Sequence, residues 1–268
     1  MRTIRFSWLG VITFIVLFFV ISPFVVLIPS SLTSAQFLSF PPQGFSLQWY
    51  AKILDRPEFI DSFIFSVELA VVTAIVATII GTLAGLSIAK YKFRGKKIVN
   101  TFLLSPLSVP SLIVGIAVLI YFTKIGIAGS FLGLLLAHLL ITIPYVVRLV
   151  LTGMTSFDYS LEKAAAIVGA KPIRIFWDIT LPLIRPAVFS GFIFSFLNSF
   201  DNVTLSLFLV SPQQMTLPLT IFSYIQENVD PLISAVSTAV ILLSLIPVIL
   251  LEKVYGLQRL FGMETNSH

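Results

Sequence analysis

Five polar side chains interrupt otherwise apolar stretches of this 268-residue sequence: Glu68, His138, Asn198, Asp201 and Asn202. An ionisable group in such surroundings costs about 2.5–3.5 kcal/mol or more, so Glu68, His138 and Asp201 are candidates for function, with Asn198 and Asn202 as polar neighbours of Asp201. Asn198 and Asp201 are three apart and share one face of a helix. Asp201 could hold a cationic amine through a charge-assisted hydrogen bond, with Phe or Tyr faces adding cation–π attraction. On that reading Asn198, Asp201 and Asn202 line or border a solute pathway, with Glu68 nearer its outer end. The rival reading is an interhelical hydrogen-bond cluster that braces a bundle, and the sequence leaves both open. His138 reads as a satisfied interior residue.

Other chemistry is thinly represented. The chain has no cysteine, which excludes disulfides and thiolate chemistry. His138 and His268 have no partner at helical spacing, so no metal site is expected. There is no G-x-x-x-x-G-K-[ST] phosphate loop and no serine, histidine and acid set, so the chain is not expected to be an enzyme or to hold a cofactor itself.

The longest polar stretch is different in kind. Residues 151–185 contain "EKAAAIVGAKPIRIFWDITLPLIR", from Glu162 to Arg185. Asp158 or Ser160 suits a helix N-cap. Leu161, Ala164, Ala165 and Val168 then fall at i, i+3, i+4 and i+7, one narrow and mostly small helical face. Gly169 is placed to end that helix in a left-handed conformation. Pro172 is placed to begin a second short helix, and Pro182 and Pro186 mark the approach to the next apolar stretch. Ile173, Phe176 and Trp177 would stand exposed beside the charges. A solvated linker needs neither an alanine face nor an apolar strip, whereas a docking element for another protein needs both.

The elements that must carry these residues are membrane spans. With 57% hydrophobic and 11% charged residues and a mean hydropathy of +1.02, the chain is far from a soluble composition. Six apolar segments approach the ~20 residues needed to cross a bilayer. They lie at about 8–29, 62–89, 101–123, 129–150, 186–210 and 232–251. Spans of this length in lipid must be helical, so the expected fold is an all-α polytopic membrane protein forming one transmembrane domain over residues 1–268. The apolar run after Arg2 and Arg5 is too long for the core of a secretory signal and is expected to remain as the first span.

Orientation follows from the cations. With both termini in the cytoplasm, the inside segments hold 14 of the 17 Lys and Arg residues, leaving Lys52, Arg56 and Lys124 outside. The net charge of +5 is therefore a topology signal and gives no reason to expect nucleic acid. "KYKFRGKK", from Lys90 to Lys97, is an inside turn suited to anionic headgroups. Residues 44–61 lie outside, as an interfacial helix or as a docking surface for an external partner. The 210–231 connection lacks Lys and Arg and carries Glu227 and Asp230. Gly81 and Gly85 form a small-x-x-x-small pair for close helix packing.

The 151–185 stretch resembles the cytoplasmic signature of permease subunits of binding-protein-dependent ABC importers. That signature is EAA, three residues, Gly, nine residues, then I-x-L-P. Ala164 and Ala165, Gly169 and the run Ile179-Thr180-Leu181-Pro182 keep its spacing, while Lys163 stands at the usual glutamate position and Glu162 precedes it. "SLQWYAKILDRPEFIDSFIFSVELA", "IAKYKFRGKK", "NSFDNVTLSLFL" and "LPLTIFSYIQENVDP" are similar to the spermidine/putrescine-type branch, so the resemblance covers about residues 45–260.

The resemblance implies a type I importer fold in a bacterial inner membrane, crossed many times, with a coupling helix between spans 4 and 5. It implies ATPase-coupling roles for Leu161, Glu162, Lys163, Ala164, Ala165, Val168, Gly169, Ala170, Ile173, Leu181 and Pro182. The implied partners are two ABC ATPase subunits that bind ATP and Mg, a second permease subunit (a sister chain rather than an identical copy) and an extracytoplasmic solute-binding protein. The implied cargo is a polyamine or a related amine or opine. Aminoethylphosphonate, thiamine and ferric iron are the alternatives within the class, and a secondary transporter driven by an ion gradient is the alternative outside it.

Overall fold

The computed structural model describes residues 8–212 and 214–255. Arg2, Arg5 and His268, used above, lie outside the described residues. Twelve α-helices are described: α1 (Trp8–Ser30), α2 (Gln48–Leu54), α3 (Pro57–Lys90), α4 (Lys96–Leu104), α5 (Ser111–Lys124), α6 (Phe131–Gly153), α7 (Tyr159–Ile167), α8 (Pro172–Ile175), α9 (Leu181–Phe200), α10 (Val203–Leu209), α11 (Leu217–Glu227) and α12 (Leu232–Tyr255). Five helical runs are long and apolar enough to cross a membrane, and a sixth forms if the bent pair α4 and α5 counts as one span.

Three expected spans differ in detail. The third, expected as one helix over 101–123, bends by 104° between Ser108 and Ser111. A 3-10 turn at Ser105–Ser108 leads into an extended Val109 (φ −98°, ψ 131°), followed by Pro110. Proline disfavours helical backbone in the residue before it and brings no N–H of its own, so the helix stops and restarts. The second span begins at Pro57 rather than 62, and its 34 residues reach about 51 Å.

The fifth was expected over 186–210, with Pro182 and Pro186 at its approach. Instead one helical run covers Pro172–Phe200 and ends there. Both prolines lie inside it, and a π-helical stretch, Phe176–Thr180, precedes α9. Its wider turn relieves the clash that Pro182 would make with the carbonyl one α-turn earlier.

The chain divides into two compact units, residues 1–60 with 220–243 and residues 61–219 with 244–268. In the first unit, the Ser31 hydroxyl lies 2.7 Å from the Tyr50 hydroxyl, and the Thr33 hydroxyl donates to Gln43 O at 3.1 Å. These bonds fold the 31–47 loop back against α2. The Phe59 and Tyr224 rings meet edge to face, and the Tyr224 hydroxyl donates to the Asp230 carboxylate at 2.8 Å. Burial, followed by that bond to Asp230, pushes the Tyr224 phenol up to about 12. No residue of the apolar window of α1 is buried.

The second unit holds two apolar cores. One gathers Leu69, Val114, Phe122, Leu134, Ala137, Leu205 and Leu209; the other gathers Ala77, Leu86, Leu139, Val146, Val150, Met154 and Ile184. Close approach makes the second core possible. A Cβ added at Gly81 or Gly85 would come within 2.6 Å or 2.9 Å of Val146 or Val150. One added at Gly153 would meet the Ala187 Cβ at 2.6 Å. The expected packing role of Gly81 and Gly85 is thus a contact of α3 with α6, and α6 also packs on α9 through Gly153.

Candidate functional site

The hairpin between α6 and α9 is built from two well-formed caps. At its start the Asp158 carboxylate accepts from Ser160 N at 2.9 Å. Bonds from Ser160 hold that carboxyl below its ordinary value of 3.8. At the end of α7, Gly169 takes φ +85°. The Gly169 N–H donates to Ala166 O at 3.0 Å and the Ala170 N–H to Ala165 O at 3.1 Å. This pair is a Schellman closure, which satisfies carbonyls the helix would otherwise leave open. Lys171 then turns the chain into Pro172 at the start of α8.

The hairpin presents apolar side chains outward. Ile167 and Val168 are 85% and 84% exposed, and Leu161, Ile173 and Trp177 also face out. Ala164, Lys163, Gly169 and Pro182 are exposed, while Ala165, Ala170 and Leu181 are half-buried. Of the expected face, Leu161, Ala164 and Val168 are therefore open and Ala165 is partly covered.

Glu162 behaves differently from its neighbours. Its carboxylate pairs with the Lys90 ammonium at the end of α3 and accepts from the Thr180 hydroxyl at the end of the π-helical stretch. Lys90 also reaches the Thr180 hydroxyl at 3.1 Å. The two charged side chains are only 21% and 17% exposed. Sequence reasoning named Glu162 but missed Lys90 and Thr180. Lys90 looked like one cation among five in an inside turn, and no periodicity links it to a residue 72 positions away.

The intramembrane candidates are scattered among several jobs. His138 is fully buried on α6, its Nδ1 2.8 Å from the Ser199 hydroxyl, while its Nε2 has no partner among the described residues, so the residue is interior but only half satisfied. Asn198 is half-buried near the end of α9, and its Oδ1 has no partner among the described residues. Asp201 is exposed and caps the C-terminus of α9. The Asn202 side chain accepts from Leu205 N at 2.8 Å and starts α10. The expected mid-span position of Asp201 and Asn202 is thus a helix break, and Asn202 spends its oxygen on a cap. Glu68 is exposed on α3. Among the described residues, no cluster of three or more His, Asp or Glu could hold a metal ion.

Five or six helical runs apolar enough to span a membrane, with a capped hairpin that exposes apolar side chains between α6 and α9, fit a polytopic membrane protein. The chain belongs to the family of binding-protein-dependent transport system inner membrane components, matched over residues 77–259, and is an ABC importer permease. Relatives include the spermidine/putrescine transport system permease protein PotC of Haemophilus influenzae, 34% identical over 92% of this chain and 95% of that protein. The putrescine transport system permease protein PotI of Escherichia coli is 29% identical over 89% and 87%. Among solved structures, a bacterial alginate ABC transporter in complex with an alginate pentasaccharide-bound periplasmic protein superposes with a TM-score of 0.74. That likeness covers 92% of each chain at 14% identity and speaks to fold alone.

Proposed function

We propose that this permease carries polyamines, spermidine or putrescine, across a bacterial inner membrane by ATP-driven alternating access. The hairpin of α7 and α8 serves as the coupling element and sits on the cytoplasmic side with both termini. The observation that carries this reading is the outward set of Leu161, Ile167, Val168 and Ile173 on a hairpin whose first helix, α7, is capped at both ends. Exposed apolar groups rimmed by charge fit a cleft in a partner protein. The partners are two ABC ATPase subunits that bind ATP and Mg, a sister permease and an extracytoplasmic binding protein. The whole chain acts as one transmembrane domain.

The hairpin acts as a lever. It joins α9 without a break, so a displacement imposed by an ATPase is delivered to a helix packed against α6. An effector can drive transport only by favouring one of two such arrangements. Asn198, Asp201 and Glu68 are the pathway candidates. Asp201 stands exposed where α9 ends, and Asn198 has an unspent oxygen one turn before it.

The test is reconstitution with the sister permease, ATPase and binding protein in proteoliposomes. Spermidine or putrescine uptake is expected only with ATP and binding protein together. Uptake by this chain alone without ATP would overturn the reading.

A further inference from the structure

We infer that Glu162 and Lys90 form an internal strut that makes the second membrane helix, α3, move with the coupling hairpin; this rests on the coupling reading above. Three elements converge on one carboxylate: Lys90 closes α3, Glu162 lies in the first turn of α7, and Thr180 closes the stretch that runs into α9. The same three side chains also bond to one another, since Lys90 reaches Thr180. The Lys90 ammonium further lies 5.7 Å from the Phe157 ring, just before the hairpin begins.

The location makes the pair more than a surface contact. An exposed ion pair is worth little, because water and salt screen it. Here both side chains are about four-fifths covered, and losing one partner strands the other's charge away from water. The pair lines a groove of about 520 Å³ together with Leu86, Tyr91, Tyr159, Lys163 and Phe176, so the ion pair crosses from α3 to the hairpin where the packing is open.

The rest of α3 can transmit a pull on Lys90. Gly81 and Gly85 seat the helix against Val146 and Val150 closely enough that neither tolerates a Cβ without displacement. The hairpin is therefore linked to two long helices by different means, covalently to α9, and to α3 through the ion pair and the apolar core that Leu86 and Ala89 share with Phe157 and Phe176. Glu162 and Lys90 are positioning residues. The strut also leaves Glu162 engaged within its own chain, so the surface that α7 offers to a motor is Leu161, Lys163, Ala164, Ile167 and Val168.

The test uses the assembled importer in proteoliposomes and reads ATP hydrolysed per solute moved, alongside ATPase co-purification. Glu162→Gln and Lys90→Met should each raise that ratio at least fivefold while the ATPase subunit stays bound. The reversed pair, Lys90→Glu with Glu162→Lys, should bring it back toward the starting value. Wild-type stoichiometry in both single variants overturns the strut. So does loss of ATPase binding in Glu162→Gln but not in Lys90→Met, which would place Glu162 on the motor itself. Should neither single variant assemble, the reversed pair must assemble and couple; its failure where Lys90→Arg succeeds also overturns the strut. A wild-type importer whose hairpin holds no ATPase would refute the coupling reading instead, a result distinct from these.

Discussion

His138 on α6 and Ser199 on α9 share a hydrogen bond of 2.8 Å in a fully buried setting, 61 residues apart in sequence. The Nε2 of the same ring has no partner among the described residues. Ser199 is therefore the partner of one ring nitrogen, and the bond ties together the two helices that flank the hairpin. Ser199→Ala should destabilise the protein by about 1–3 kcal/mol, the cost of leaving a buried polar group unpaired. Thermal unfolding in detergent checks this. Replacing both residues, Ser199→Ala with His138→Leu, should cost less than the sum of the single changes.

Gly169 has nothing within 4 Å of where a Cβ would stand, so space does not explain it. Its φ of +85° does. Gly169→Ala should cost about 1–2 kcal/mol through left-handed backbone strain alone. Amide exchange is expected to quicken at Val168, Gly169 and Ala170, and Gly169→Asn should be milder.

Val168→Asp and Ile167→Asp change residues that are almost wholly exposed in this chain. Folding stability should shift by no more than about 0.5 kcal/mol. Co-purification of the ATPase should fall sharply, because a carboxylate would be buried in its cleft. Intact binding in both variants would exclude this edge from the contact.

Asp201→Asn removes the charge that would hold an amine. A hydrogen bond to a charged group is worth about 1.5–3 kcal/mol. Uptake at limiting solute should fall about tenfold or more, with ATPase subunits still bound. Equal uptake would leave Asp201 as a helix cap only.

Asp158 gives a pH signature. Its carboxyl is held below the ordinary value of 3.8 by the bonds from Ser160. A depressed acid contributes its stability above the unfolded value and loses it as pH falls through the folded one. The start of α7 should therefore fray only below about pH 3.8, and Asp158→Ala should remove that acid dependence. Amide exchange at Ser160 and Leu161 across that range is the measurement.

How legible was this in the sequence? The hairpin was, because caps and glycine turns are local: Asp158, Gly169 and Pro172 each act within a few residues. Hydropathy located the spans for the same reason. The elbow of the third span was missed even though Pro106 and Pro110 announce it, because hydropathy counts apolar atoms and ignores backbone donors. The fifth span was misjudged at both ends. A π turn let Pro182 lie inside a helix that runs on through Pro186, and Asp201-Asn202 became a break through a side-chain cap. The Glu162–Lys90 pair was beyond reach, since only the packing of α3 on α6 brings those residues together.

The elbow at Val109 and Pro110 has a consequence for how that part of the chain meets lipid. Hydrocarbon is about 30 Å thick, and the 14 residues of α5 supply about 21 Å. Oil offers nothing to peptide groups freed at a sharp corner, so this corner must be shielded by protein or bathed in water. Greasiness alone cannot preserve such a segment: a chimera that swaps residues 96–124 for any straight apolar helix would still insert, and would lose its bend.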